Sequence, residues 1–257
     1  HFKNGGRWVR KGRNAMKDHP LIWAHRGASG HAPENTIPAF LLAAGMQADG
    51  VELDVQMTKD GELVVCHDET VDRTSSGAGQ IADLTLAELK RLDFCDGNMA
   101  YEGTRIPTME EVLDALRPTG MTMNIELKTG VHFYAGIEEK LLDLIWRKGW
   151  QDRILYSSFN HETLRTIHRL DGTARTGVLY ADGLVDPVSY GRRLGACALH
   201  PAMYNLQYPG FLRACAEDGM EINVWTVNME EEMRRCGECG VHAVITNYPE
   251  KARKMLG

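Results

Sequence analysis

The sequence predicts an α/β fold, a (β/α)8 TIM-type barrel with a small insertion over the barrel mouth. Three observations lead there. Short runs rich in β-branched and apolar residues alternate with segments of helical length and periodicity, which implies parallel strands joined by crossover helices. Nine strand-like runs can be counted, and two of them (51–58 and 63–67) read as an antiparallel hairpin, so one is surplus and eight remain to close a barrel. The 257 residues contain no long linker, and about 250 residues is an ordinary size for one such barrel. A doubly wound open sheet is the alternative architecture, but no glycine-rich dinucleotide fingerprint supports it.

The elements follow in order. Residues 21–25 form a short strand ending in a small-residue loop. Asn35 or Thr36 then caps a helix in which Ile37, Phe40, Leu41 and Ala44 recur at helical spacing. In the hairpin, Asp60 and Gly61 sit between two strand-like runs, a strong turn signal. A two-residue turn there pairs Lys59 with Glu62 and brings Asp54 opposite His67. Residues 70–106 are more polar and read as an insertion, with a capping-box spacing from Thr85 to Glu88. Alternation then resumes. Strands are expected over 123–128, 154–159, 176–180, 196–200, 221–227 and 241–246. Helices are expected to open at Thr108, Ile137, Asn160, Phe211, Asn228 (with Glu231 at the capping-box position) and Glu250.

Composition bounds the function. Charged residues make up 25% and hydrophobic ones 43%, as in ordinary globular proteins. A net charge of −6 argues against nucleic acid as the main partner. No apolar run approaches the roughly 18 residues of a membrane span, so no stable membrane insertion is expected. Six scattered cysteines fit reduced thiols and a cytoplasmic location, and Cys236 and Cys239 form a lone C-x-x-C without further ligands to complete a zinc site. Residues 1–20 read as an N-terminal extension, of cloning origin or an untidy native tail, and 21–257 as a single catalytic barrel domain.

Side chains on a strand alternate between faces, so Glu52 and Asp54 share one face of the hairpin. By the same rule Glu126 and Lys128 share a face of their strand. Active sites of such barrels lie at the C-terminal strand ends, which gathers His25, Arg26, Glu126, Lys128, Phe159, His200 and Trp225 around one mouth. Three carboxylates suit a hard divalent cation such as Mg2+ or Ca2+ better than zinc. Arg26 and Lys128 suit the oxygens of a phosphate. His25 and His67 can exchange protons near neutral pH. Together they point to metal-assisted cleavage of a phosphate ester. Phe159, His200 and Trp225 are candidates for the substrate pocket.

At these positions the chain resembles the glycerophosphodiester phosphodiesterase family, of bacterial cytosolic type, within the phospholipase-C-like phosphodiesterase barrels. The resemblance rests on His25-Arg26-Gly27 with Pro33 to Thr36, Glu52 and Asp54, Thr58 to Gly61, His67-Asp68, Asp72 to Thr74, Asp83 to Thr85, Ile106 to Thr108, Asn124 to Lys128, Ser157 to Phe159 and Trp225 with its neighbours to Asn228. Asn247 stands where an aspartate is common in the family, in a segment not expected to hold metal. The resemblance implies hydrolysis of small-molecule glycerophosphodiesters to an alcohol and sn-glycerol 3-phosphate. It implies one divalent cation on Glu52, Asp54 and Glu126, with His25 and His67 as the acid/base pair. Which of the two is base the resemblance leaves open; we take His25 as base and His67 as acid. It makes 70–106 the family's insertion over the mouth. Two other readings stay open: a lysophospholipase D-like activity of the same family, and a non-catalytic phosphate-ester binding protein.

Overall fold

The computed structural model describes residues 19–257; the predicted extension lies almost wholly outside the described residues. Nine strands form one sheet: β1 (Leu21–His25), β2 (Gly50–Met57), β3 (Leu63–Val65), β4 (Thr122–Leu127), β5 (Ile154–Ser158), β6 (Thr176–Tyr180), β7 (Ala198–Pro201), β8 (Glu221–Val224) and β9 (Ala243–Thr246). Their spatial order is β1-β9-β8-β7-β6-β5-β4-β2-β3, and β1 also pairs with β2. That second pairing closes eight parallel strands into a barrel and leaves β3 outside as the antiparallel arm of the hairpin. The predicted fold class is the observed one.

Helices α1 (Ile37–Gly45), α2 (Leu86–Leu89), α3 (Met109–Leu116), α4 (Ile137–Lys148), α5 (His161–Leu170), α6 (Pro187–Arg193), α7 (Phe211–Asp218), α8 (Glu230–Cys239) and α9 (Pro249–Leu256) complete the chain. All but α2 connect or follow barrel strands. Strand residues that face outward, such as Val51, Leu53 and Val55, pack with α1, α3 and α4 in the larger of two apolar clusters between sheet and helices. A smaller cluster of Trp23, Leu155, Ala198, Ala243 and Ile245 fills the barrel. Between β3 and α3 the chain has its own small core of Val71, Ile81, Leu89, Phe94 and Ile106 packed on Val64 and Cys66. The capping box predicted at Thr85 and Glu88 is present in both directions.

Three local expectations are corrected. The hairpin register differs by one residue: Val55 faces Val65, Gln56 faces Val64, and Thr58 N donates to Glu62 O. The loop therefore has three residues, Lys59, Asp60 and Gly61, with Gly61 at φ +85°. Asp60 takes no ladder partner because its carboxylate accepts from Thr58 Oγ1 and Leu86 N, which ties the turn to α2. Helix α6 was not foreseen; its short, glycine-containing span hides the apolar period, although Asp186 before Pro187 is a cap signal. At α8 the box residue is Glu232, not Glu231: its carboxylate accepts from Asn228 N and Met229 N.

Candidate active site

The inward face of β2 carries Glu52 and Asp54, and β4 brings Glu126 into register with Asp54. One oxygen from each of the three lies within 4.8 Å of the others, and all three residues are buried. Two residues of the small-residue loop after β1 place the neighbours. Arg26 adopts φ +55° and Gly27 φ +81°. A Cβ on Gly27 would meet Ala39 at 2.7 Å, so only glycine lets this loop lie on α1. The turn points Arg26 N at Glu52 Oε2 (3.1 Å) and lays the guanidinium beside Asp54 Oδ2 (3.5 Å). Asn35, one residue before the true cap Thr36, holds the same Oδ2 through its Nδ2 at 2.8 Å. Asp54 Oδ1 is left buried without a partner in the protein.

Three buried carboxylates so close repel one another. Burial, with the Asp54 and Glu126 charges, pushes the Glu52 carboxyl well above its ordinary value. Burial and Asp54 push Glu126 up to about 8 against the pull of Lys128. Burial acts upward on Asp54 too, but Arg26, His67, Lys128 and the Asn35 bond outweigh it and hold the group below its ordinary value. A hard cation would relieve the repulsion and satisfy Oδ1, so the donor set fits such an ion. Among the described residues this is the one group of His, Cys, Asp or Glu side chains close enough to hold a metal.

The two histidines flank this group and are held differently. His25 Nδ1 is 2.6 Å from Asn247 Oδ1, and its Nε2 lies 4.0 Å from Glu52 Oε2. Burial, then the Arg26 charge, lower the His25 pKa to about 4, so the ring is neutral near pH 7. An Nδ1–H donated to Asn247 leaves the Nε2 lone pair facing the carboxylates. His67 Nδ1 instead meets the Asp68 carboxylate at 2.6 Å, and its Nε2 faces Lys128 Nζ at 3.3 Å. Lys128 Nζ also pairs with Glu126 Oε1 at 3.2 Å.

A chain of charges joins the two sides. Arg73 grips Asp68 through Nε (2.7 Å) and Nη2 (3.1 Å), and grips Glu34 through both terminal nitrogens at 2.9 and 2.7 Å. Glu34 returns to Arg26 Nη1 at 3.0 Å. Arg73 belongs to the polar segment after the hairpin, so that segment braces the mouth directly. Its hydrogen bonds, with those of His67, hold the Asp68 carboxyl well below the usual range. Asp68 therefore contributes stability above an unfolded pKa of about 4, lost as pH falls through the lower folded value. Thermal melts of wild type and Asp68→Asn from pH 7 to pH 2 should show the wild-type advantage shrinking below about pH 4; a constant difference would refute it.

The small cavity enclosed by these groups, about 80 Å3, has Phe159, Leu179 and Trp225 as its apolar wall and Asn124 at its floor. Phe159 and Trp225 meet edge to face at 5.5 Å between centroids. Larger cavities of about 740 and 490 Å3 lie elsewhere, without the carboxylates or histidines; size alone does not locate chemistry. His200 is corrected from pocket wall to barrel core. It is fully buried, faces Trp23, bonds Asn223 Nδ2 through Nε2 at 2.9 Å, and does not line the cavity. All six cysteines are free, and Cys236 packs its Sγ on Met203 Sδ at 3.6 Å. Glu34, Arg73, Asp68 and Asn247 carry no role in the sequence reading, and Asn35 only that of an alternative helix cap to Thr36. The motifs containing them were visible, but their partners lie far along the chain.

Residues 25–251 match a model of the glycerophosphoryl diester phosphodiesterase family. The chain belongs to that family. As a glycerophosphodiester phosphodiesterase it is an enzyme, a phosphoric diester hydrolase. It is 44% identical over 231 residues to the glycerophosphodiester phosphodiesterase of Caldanaerobacter subterraneus subsp. tengcongensis, covering 90% of this chain and 95% of that one. Among solved structures, an Oleispira antarctica phosphodiesterase in complex with the product sn-glycerol-3-phosphate is similar at 30% identity and a TM-score of 0.83, over 92% of this chain and 96% of that one. The Thermotoga maritima glycerophosphodiester phosphodiesterase matches at 29% identity and a TM-score of 0.77, over 92% and 98%. No helix among the described residues of this phosphodiesterase is long and apolar enough to cross a membrane.

Proposed function

We propose that this phosphodiesterase hydrolyses glycerophosphodiesters to an alcohol and sn-glycerol 3-phosphate, using one divalent cation, Mg2+ or Ca2+, on Glu52, Asp54 and Glu126. One observation carries the reading: two imidazoles with different partners flank a buried three-carboxylate group in which Asp54 Oδ1 has no hydrogen-bond partner. The similar phosphodiesterase with sn-glycerol-3-phosphate bound supports the product.

The bound cation would polarise the phosphoryl group and favour ionisation of an attacking hydroxyl. The chain's own residues do the rest. Arg26 and Lys128 draw the non-bridging oxygens of the diester to the carboxylate side of the cavity. His25, neutral and with Nε2 facing the carboxylates, takes the proton of the attacking hydroxyl, of water or of the substrate. In the second case the alcohol leaves from a cyclic glycerol phosphate, which water then opens to sn-glycerol 3-phosphate. His67 Nε2 accepts from Lys128 Nζ, which has only hydrogens to give. When the substrate phosphate engages Lys128, His67 hands a proton from Nε2 to the departing alkoxide, with Nδ1 held by Asp68. Phe159 and Trp225 pack against the alcohol moiety and exclude water.

The test is release of sn-glycerol 3-phosphate from glycerophosphocholine by metal-stripped protein, with Mg2+, Ca2+ or Mn2+ added back. Turnover is expected to vanish on stripping and return with a divalent ion. Full activity in chelator would overturn the metal requirement. A lysophospholipase D-like reading is favoured by one feature, the cavity of about 490 Å3 lined by Leu184, Val188, Tyr208 and Phe211 near the ends of β6 and β7. Under that reading lysophosphatidylcholine would turn over faster than glycerophosphocholine in the same assay.

A further inference from the structure

We infer that Gln56 is a positioning residue for His67, its buried amide replacing the strand pairing that the hairpin gives up after Val65. The inference rests on the acid role of His67 proposed above. Ladder pairing in the hairpin ends with Val55 and Val65, and Cys66 N makes one more bond to Asp54 O at 3.0 Å. From there the chain leaves the sheet and still brings the His67 ring to Lys128.

Gln56 accounts for this. It lies on β2 two residues beyond Asp54, on the same face as both carboxylates, and is fully buried. Its Nε2 sits 2.9 Å from Cys66 O, 3.2 Å from His67 O and 2.6 Å from Asp68 O. Backbone carbonyls only accept, so the amide orientation is set by its surroundings. On the other side Tyr134 donates its hydroxyl to Gln56 Oε1 at 2.9 Å. Three consecutive carbonyls converging on one amide bend the backbone toward Gln56 and turn the His67 side chain to the mouth. Burial makes these bonds hard for water to replace. The strand face that supplies two carboxylates thus also sets the placement of the acid.

Gln56→Met keeps length and burial but removes the donors. Tyr134→Phe is the milder second variant, leaving the amide in place without its orienting partner. Both are compared with wild type and His67→Ala on two substrates. Glycerophosphocholine has an alkoxide leaving group that needs a proton, whereas a glycerophospho-p-nitrophenyl ester has one that does not. On the choline substrate, kcat of Gln56→Met is expected to fall about 10–100-fold with KM nearly unchanged. On the nitrophenyl substrate the fall should be less than about threefold, as for His67→Ala. Tyr134→Phe should show the same selectivity, smaller in size. Equal losses on both substrates would mark Gln56 as merely structural and overturn the inference, as would no loss at all. Imidazole 15N spectra decide independently of turnover, with His67→Ala giving the assignment: a displaced or broadened His67 signal in Gln56→Met supports the inference, and an unmoved one refutes it. If wild type turns over neither substrate, the functional reading fails and the spectra still judge Gln56.

Discussion

In Glu126→Gln protein, turnover is expected to fall by at least about 10³-fold while the metal-free form becomes more heat-stable than metal-free wild type. The two effects share a cause. Glu52, Asp54 and Glu126 hold oxygens within 4.8 Å of one another in a buried site. Without a cation their mutual repulsion and lost hydration destabilise the folded state. An amide removes one charge at nearly constant shape and keeps an acceptor for Lys128, now 3.2 Å from the glutamate oxygen. On the proposed ligand set it also removes a charge that the cation needs. Melts in chelator and in excess Mg2+ or Ca2+ read both effects. Wild type should gain melting temperature with the ion, and the variant should start higher and gain little. A variant that is less stable in chelator and still responds to the ion would show that the three groups do not act as one metal site.

His67→Ala is expected to lower kcat on glycerophosphocholine by about 10²–10⁴-fold, some 3–5 kcal/mol of transition-state stabilisation, with KM changed by less than about threefold. The geometry explains the split. His67 Nε2 reaches into the mouth beside Lys128, and Nδ1 is occupied by Asp68. On the mechanism proposed above, the ring serves proton delivery, while Arg26 and Lys128 retain the phosphate. Binding of sn-glycerol 3-phosphate to the variant, followed by calorimetry, should stay close to wild type. Lost product binding together with lost turnover would assign His67 to substrate binding instead.

Much of this was legible in the chain. Strand and helix alternation implied the barrel, because each βαβ unit advertises its own periodicity. Glu52 and Asp54 share a face through the two-residue period of a strand, whatever the rest of the fold does. The same period put Lys128 beside Glu126. The hairpin reading reached a useful conclusion by a wrong register. Asp60 and Gly61 looked like a complete two-residue turn, but the Asp60 carboxylate is committed to Thr58 and to α2, and the loop takes one residue more. Asp54 faces Cys66, and His67 arrives through Gln56 and Asp68.

The chain by itself determined the fold class and which chemical groups stand at the strand ends, the three carboxylates, two cations and two histidines that the structure brings together, since backbone geometry and side-chain chemistry fix those locally. Tertiary structure alone decided how each is held. Asn247 meets His25 across 222 residues only because β9 closes against β1. Arg73 reaches Glu34 across 39 residues because the polar segment folds back over the loop after β1. His200 sits at a strand end like the others, yet the barrel buries it against Trp23 and Asn223. Such partners are selected by the cost of leaving a buried charge or polar atom unpaired, a cost that exists only once closure has removed the water.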